Sequence, residues 1–176
     1  MGKIVQFTGL SGAGKTTLAE AFLSDFSKKG YRIKIIDGDV YRQTLCKDLG
    51  FSKADRIENI SRLGKLAHEL AVDYDYIIIA AINPFDESRN LLQKKYGAAL
   101  VHIHCDLPVL QKRDTKGLYR RAALNDGHVE KIHNLTGVND VFELPEKADL
   151  LLDTTDSNIE QTLLKFILFI SKFKKN

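Results

Sequence analysis

A three-layer α/β/α fold, with helices on both faces of a mostly parallel five-stranded sheet, is predicted by three features of this sequence. Apolar runs at 3–8, 31–37, 76–82, 98–105 and 148–153 alternate with longer segments of helical periodicity, the βα repeat of a parallel sheet. The run Tyr76-Ile77-Ile78-Ile79-Ala80-Ala81-Ile82 is apolar without alternation, as a strand covered on both faces requires. The first run leads directly into a glycine-rich turn and then an amphipathic segment, a strand–turn–helix unit. With 176 residues and 44% hydrophobic content, the chain suits one compact domain spanning 1–176.

The turn after the first strand is the most informative element. Gly9-Leu10-Ser11-Gly12-Ala13-Gly14-Lys15-Thr16 is a complete G-x-x-x-x-G-K-[ST] phosphate loop. Its glycines let the backbone point N–H groups at phosphate oxygens, Lys15 reaches the β and γ oxygens, and the Thr16 hydroxyl can ligate Mg²⁺. The helix from Thr17 to Lys29 sets its positive end beneath the loop. This predicts the P-loop nucleotide-binding version of the fold, with ligands gathered at the carboxyl ends of the strands. The connections Thr8 to Lys15, Asp37 to Arg42, Ile82 to Arg89 and Asp106 onward then converge on one site.

The second strand ends in Asp37-Gly38-Asp39-Val40-Tyr41-Arg42. Two carboxylates here allow one to deprotonate an acceptor hydroxyl while the other holds metal-bound water. Asp and Gly also favour turns in any protein, so an Asx turn capping the next helix accounts for the same residues. Ser52 begins a helix to about Val72 as an N-cap with Asp55 three residues on. On that helix Arg56 and Asn59 share a face and can contact one anion, and Phe51 before it can stack on a base. A surface arginine, a solvated amide and a core-plugging phenylalanine are the plain alternatives. The third strand ends in Ile82-Asn83-Pro84 without an Asp, so the usual Walker B carboxylate is missing, which favours a small-molecule kinase over a motor or GTPase switch. The last strand is followed by a closing helix, Ile159 to Phe173.

In order along the chain, the phosphate loop, Asp37-Gly38-Asp39-Val40-Tyr41-Arg42, Asp48-Leu49-Gly50-Phe51-Ser52 through Asp55-Arg56-Ile57-Glu58-Asn59, Arg113-Asp114-Thr115-Lys116-Gly117-Leu118-Tyr119 and Thr136-Gly137 resemble the adenylylsulfate kinase family. The similarity runs from Gly9 to about Thr154. It implies transfer of the γ-phosphoryl of Mg·ATP to the ribose 3′-hydroxyl of a nucleotide carrying a 5′ mixed anhydride. It also implies that Gly9, Ser11, Gly12, Ala13, Gly14, Lys15, Thr16 and Thr17 hold ATP with Arg113, that Thr16 and Asp37 serve the metal, and that Asp39 is the base. Arg42, Arg56 and Asn59 would bind the acceptor's anionic groups and Phe51 its base, with Ile82, Asn83 and Leu135 in the same pocket and Lys116 arriving from a closing helical and looped lid at about 114–140. A homodimer is implied by the family, although no interface signal stands in the sequence.

Departures from the family pattern gather around the acceptor. Val40 replaces the Asn after D-G-D, Asn83 replaces the Ser of I-S-P, Leu135 replaces the aromatic before T-G, and the lid between Ala122 and Asn134 is about five residues longer than usual. Phe142 stands where the family's D-x-x-Y has Tyr. These changes point to cytidine diphosphoramidate, the acceptor of a kinase of capsule decoration, with adenylyl sulfate as the alternative and a non-catalytic nucleotide-binding module as a reading of another class. A nucleoside or gluconate-like sugar kinase would leave Arg56, Asn59 and the R-D-x-K-G-L-Y segment without a purpose.

Other functions are disfavoured by composition. The 26 Lys and Arg nearly balance 23 Asp and Glu, for a net charge of +3, so no basic stripe for nucleic acid is present. The terminal Ser171-Lys172-Phe173-Lys174-Lys175-Asn176 reads as a solvated helix end. No run of about 18 apolar residues suggests a membrane span, and the expected location is cytoplasmic. Cys46 and Cys105 are expected as reduced thiols. His102 and His104 share a strand face but make an incomplete zinc site, while His128 and His133 in the lid are secondary candidates for an anionic substrate.

Overall fold

A computed structural model describes residues 1–172 and shows five parallel strands and seven helices among them. The strands are β1 (Lys3–Thr8), β2 (Ile33–Asp37), β3 (Tyr76–Ala80), β4 (Ala99–His104) and β5 (Leu150–Asp153), in the spatial order β2-β3-β1-β4-β5. Every pairing is parallel, so the sheet is wholly rather than mostly parallel. The helices are α1 (Lys15–Ser27), α2 (Gly38–Tyr41), α3 (Lys53–Leu70), α4 (Asp86–Tyr96), α5 (Leu107–Arg113), α6 (Leu118–Ala122) and α7 (Ile159–Ser171). The end of the predicted closing helix at Phe173, and most of the basic tail, lie outside the described residues.

The unbroken hydrophobicity of the strands is explained by two cores, one on each face. Val5, Phe7, Ile78, Val101 and Ile103 face α1 and α7, where they meet Phe22, Phe26 and Phe166. Ile4, Ile36, Ile77 and Ile79 face α3 and α4, where they meet Ile60, Leu63, Ala67 and Leu92. Adjacent residues of one strand thus enter opposite cores, as the period of two demands. Phe166 packs edge-on against Phe7 and Phe22 at 5.2 and 5.0 Å, fixing α7 to the sheet.

Side-chain caps set the starts of α2, α3 and α7. Ser52 begins α3 by accepting from the Asp55 N–H at 3.1 Å, as expected, and Asn158 begins α7 in a reciprocal capping box with Gln161. Leu70 ends α3 slightly before the expected Val72. Both cysteines are free and buried. Among the described residues no helix is long and apolar enough to cross a membrane.

Candidate active site

The phosphate loop lies between β1 and α1. Gly9 takes φ +151°, and a Cβ there would stand 2.2 Å from the Ile103 carbonyl oxygen, so the loop runs against β4 with room for hydrogen only. Gly14, the residue before α1, is left-handed at φ +97° and gives no side-chain cap. The first N–H groups of α1 therefore meet no side-chain acceptor, which is the condition for binding an anion there. Lys15 is buried, and its Nζ donates to the carbonyls of Gly9 at 2.9 Å and Leu10 at 2.7 Å. Burial pushes the Lys15 pKa down to about 8, aided by the Lys116 charge and opposed by Asp39 and Asp37.

Asp37 ends β2 and serves two neighbours at once. Its Oδ1 accepts from the N–H groups of Asp39 and Val40 at 2.9 and 3.4 Å, starting α2. Its Oδ2 accepts from Thr16 Oγ1 at 2.7 Å. The turn-capping and metal-side readings of this carboxylate are thus compatible, each using a different oxygen. Two residues on, exposed Asp39 is ion-paired with Lys116, which lies between α5 and α6. Asp39, Ala81 and Ile82 line both the phosphate-loop cleft and a second cleft beside it.

That second cleft brings together Arg42, Phe51, Arg56, Asn59, Ile82 and Asn83. The Arg42 and Arg56 guanidinium carbons lie 4.8 and 5.4 Å from the centre of the exposed Phe51 ring. Burial, together with the Arg56 charge, lowers the Arg42 pKa. Arg42 Nη1 donates to the carbonyl of Gly50 at 2.5 Å, holding the loop that carries Phe51. Asn59 Oδ1 is buried without a hydrogen-bond partner among the described residues, a condition that costs about 1–3 kcal/mol until a donor arrives.

Three residues expected at the ligands have side chains that find partners within the protein. Asn83, at φ +44°, lines the cleft, but its side chain turns into the protein, where Nδ2 donates to Gln6 and Oδ1 accepts from Ser88. The polar partners of the β1 and α4 interior draw it inward. Leu135 belongs to the hydrophobic core on the α1 side and is 5% exposed, since an aliphatic side chain gains more there than at a wet cleft. Arg113 donates to the carbonyls of Thr154 and Thr155 at 2.8 and 3.3 Å and so ties α5 to the end of β5.

The segment 122–134 folds upon itself. Lys131 Nζ donates to the Leu124 carbonyl at 2.5 Å, Arg121 Nε to the Glu130 carbonyl at 3.1 Å, and residues 125–130, His128 included, are exposed, as is His133. None of residues 122–134 lines either cleft. His102 and His104 have ring centres 5.9 Å apart, and no cluster able to hold a metal ion occurs among the described residues.

Sequence reasoning assigned no role to Tyr119, Arg89 or Asp140. Tyr119 donates its hydroxyl to the Ser11 carbonyl at 2.7 Å, joining α6 to the phosphate loop. Arg89 is 1% exposed and donates to Asp86 Oδ1 at 2.7 Å and to the Glu143 carbonyl at 2.5 Å. Its spacing from Phe85 and Leu92, four and three residues away, marks it as lying on the buried stripe of α4. Asp140 pairs with Arg56 at 2.8 Å, a long-range relationship with no local signal.

The chain is similar in sequence and fold to known proteins. Residues 1–153 match the family described as adenylylsulphate kinase. The chain belongs to that family. Adenylyl-sulfate kinase of Geotalea uraniireducens is 39% identical over 173 residues, covering 96% of this chain and 80% of the relative. That of Bacillus pumilus is 36% identical over 175 residues, covering 98% and 86%. The Mycobacterium tuberculosis APS kinase CysC, solved with AMPPNP and APS, superposes with a TM-score of 0.86 at 35% identity, over 97% of this chain and 98% of that one. A Sinorhizobium meliloti gluconokinase, at 16% identity and a TM-score of 0.63 over 97% and 92%, shares the fold alone. As an adenylylsulphate kinase family member, the chain is a phosphotransferase that acts on an alcohol group.

Proposed function

We propose that this enzyme transfers the γ-phosphoryl group of ATP to the 3′-hydroxyl of adenylyl sulfate, giving 3′-phosphoadenylyl sulfate. The observation that carries the reading is the position of Asp39, on the wall shared by the phosphate-loop cleft and the arginine-lined cleft. A carboxylate there lies between a donor phosphate on one side and an anionic nucleotide on the other.

The uncapped start of α1 and Lys15 bind the ATP phosphates. Thr16 and Asp37 offer a hydroxyl and a carboxylate at the loop, oxygen donors that suit Mg²⁺. When bound, Mg²⁺ neutralises charge on the β and γ oxygens. Asp39 takes the proton of the 3′-hydroxyl, whose oxygen forms the new bond to the γ phosphorus. The bond from that phosphorus to the β,γ-bridging oxygen breaks, and ADP leaves with the electron pair. Lys15, and Lys116 beside Asp39, stabilise the charge as it moves. Arg42 and Arg56 hold the acceptor's phosphosulfate, and a ribose hydroxyl or base amine supplies the donor that Asn59 Oδ1 lacks.

The departures that favoured a cytidine acceptor carry less weight once placed. Asn83 turns its side chain inward, Leu135 packs in the core, and residues 122–134 line neither cleft. The cited relatives of 35% identity or more are named for adenylyl sulfate, so we rank that acceptor above cytidine diphosphoramidate. The test is ADP release from Mg·ATP with the two acceptors at equal concentration. Adenylyl sulfate is expected to give the higher kcat/KM; preference for the cytidine nucleotide would overturn the reading.

A further inference from the structure

Arg56 reaches the acceptor cleft from α3, yet much of what holds its guanidinium comes from the end of the lid. Nε donates to the Phe51 carbonyl at 2.9 Å, and Nη2 donates both to the Asn134 carbonyl and to Asp140 Oδ2 at 2.8 Å. These bonds make no use of Nη1, which leaves one edge of the fork for a ligand. Asp140 is itself fixed: its carbonyl accepts from the Gly137 N–H at 2.8 Å and its Oδ1 from the Val141 N–H at 2.8 Å. The Arg56 side chain is 8% exposed and that of Asp140 27%, so the pair is largely shielded from water.

We propose that Asp140 is a positioning residue for acceptor binding: it sets the plane of the Arg56 guanidinium and so ties capture of the anionic acceptor to the folded state of the lid's return segment. The inference rests on the proposed role of Arg56, and its electrostatic sign makes it testable. Asp140 is a negative charge beside a site for an anion. If it acted only through the field, removing it would strengthen acceptor binding. If it orients Arg56, removing it weakens binding, because a free guanidinium must be ordered by the ligand at an entropic cost.

The experiment compares Asp140→Asn, Asp140→Glu, Arg56→Ala and the double variant Arg56→Ala/Asp140→Asn by steady-state kinetics with adenylyl sulfate, and by trypsin cleavage of the lid. Asp140→Asn is expected to raise the acceptor KM about tenfold, with kcat and the ATP KM within about twofold, and Asp140→Glu to recover most of the loss. The double variant should be no worse than Arg56→Ala. A lowered KM in Asp140→Asn, or additive losses in the double variant, would overturn the proposal. Wild-type enzyme silent toward adenylyl sulfate would instead refute the acceptor assignment. In that case the cleavage rates decide: equal acceleration in Asp140→Asn, in Arg56→Ala and in the double variant supports the coupling, and independent effects refute it.

Discussion

Thr16 Oγ1 donates a 2.7 Å hydrogen bond to Asp37 Oδ2, joining the first turn of α1 to the end of β2. The other Asp37 oxygen caps α2, so one carboxylate links the nucleotide loop to the element that carries Asp39. Two substitutions separate these duties. Asp37→Asn keeps a good N-cap but loses the charge, while Asp37→Ala loses both. We expect Asp37→Asn to retain its Tm while kcat falls at least about tenfold, and Asp37→Ala to lose about 1 kcal/mol as well, on the order of 2–4 °C. Thermal melts beside Mg·ATP kinetics check this; full activity in Asp37→Asn would remove the carboxylate from the mechanism.

Asp39 is paired with Lys116, which lies between α5 and α6. Lys116 also lines the phosphate-loop cleft, so the same ammonium can neutralise the base or meet a phosphate. Asp39→Asn is expected to lower kcat by about 10²–10⁴ while leaving ATP affinity within about twofold, as loss of a general base does. Lys116→Ala should lower kcat and raise the ATP KM together. Equilibrium ATP titration and single-turnover assays distinguish the two; an Asp39→Asn enzyme that turns over normally would assign the base elsewhere.

The fold was legible because its signals are local. A strand, a phosphate loop and a helix follow one another from Lys3 to Ser27, and the unbroken apolar run at Tyr76–Ala80 announces burial on both faces. The pair of duties at Asp37 could be read as two alternatives but not resolved, since sequence gives the residue and not its two oxygens. Asn83, Leu135 and Arg113 were assigned from the positions they hold in a motif. Their side-chain directions are set by Gln6, the α1-side core and the Thr154 carbonyl, all distant in sequence, with Ser88, five residues from Asn83, as a nearer partner. Asp140 was invisible for the same reason, since its partner lies 84 residues away.

His102 adds a pH dependence to stability. Burial lowers its pKa to about 4, with help from the His104 and Arg89 charges, against the ordinary 6.5. The folded protein thus binds this proton less readily than the unfolded chain. Its contribution is complete above pH 6.5 and is lost as pH falls toward 4, with a slope of at most about 1.4 kcal/mol per pH unit. His102→Gln cannot titrate, so its stability should fall less steeply across that window. Urea denaturation at pH 7, 5.5 and 4.5 measures the difference; parallel curves would show that His102 is not the group responsible.

Gly9 and Gly14 both have positive φ, at +151° and +97°, but their surroundings differ. A methyl group on Gly9 would lie 2.2 Å from the Ile103 carbonyl oxygen, whereas one on Gly14 would meet nothing within 4 Å. Gly14→Ala therefore carries only the backbone penalty of a left-handed alanine, about 1–2 kcal/mol. Gly9→Ala carries strain and must also push the phosphate loop away from β4. Because Gly9 N–H donates to the Ile82 carbonyl at 3.2 Å, that displacement reaches the wall shared by the two clefts. We expect Gly9→Ala to be the less stable variant and to raise the KM for both ATP and acceptor. Gly14→Ala should affect ATP chiefly, since its strain falls on the N–H groups that start α1. Chemical denaturation with KM values for both substrates ranks them, and a Gly9→Ala protein as stable as Gly14→Ala would mean that the loop can leave β4 at little cost.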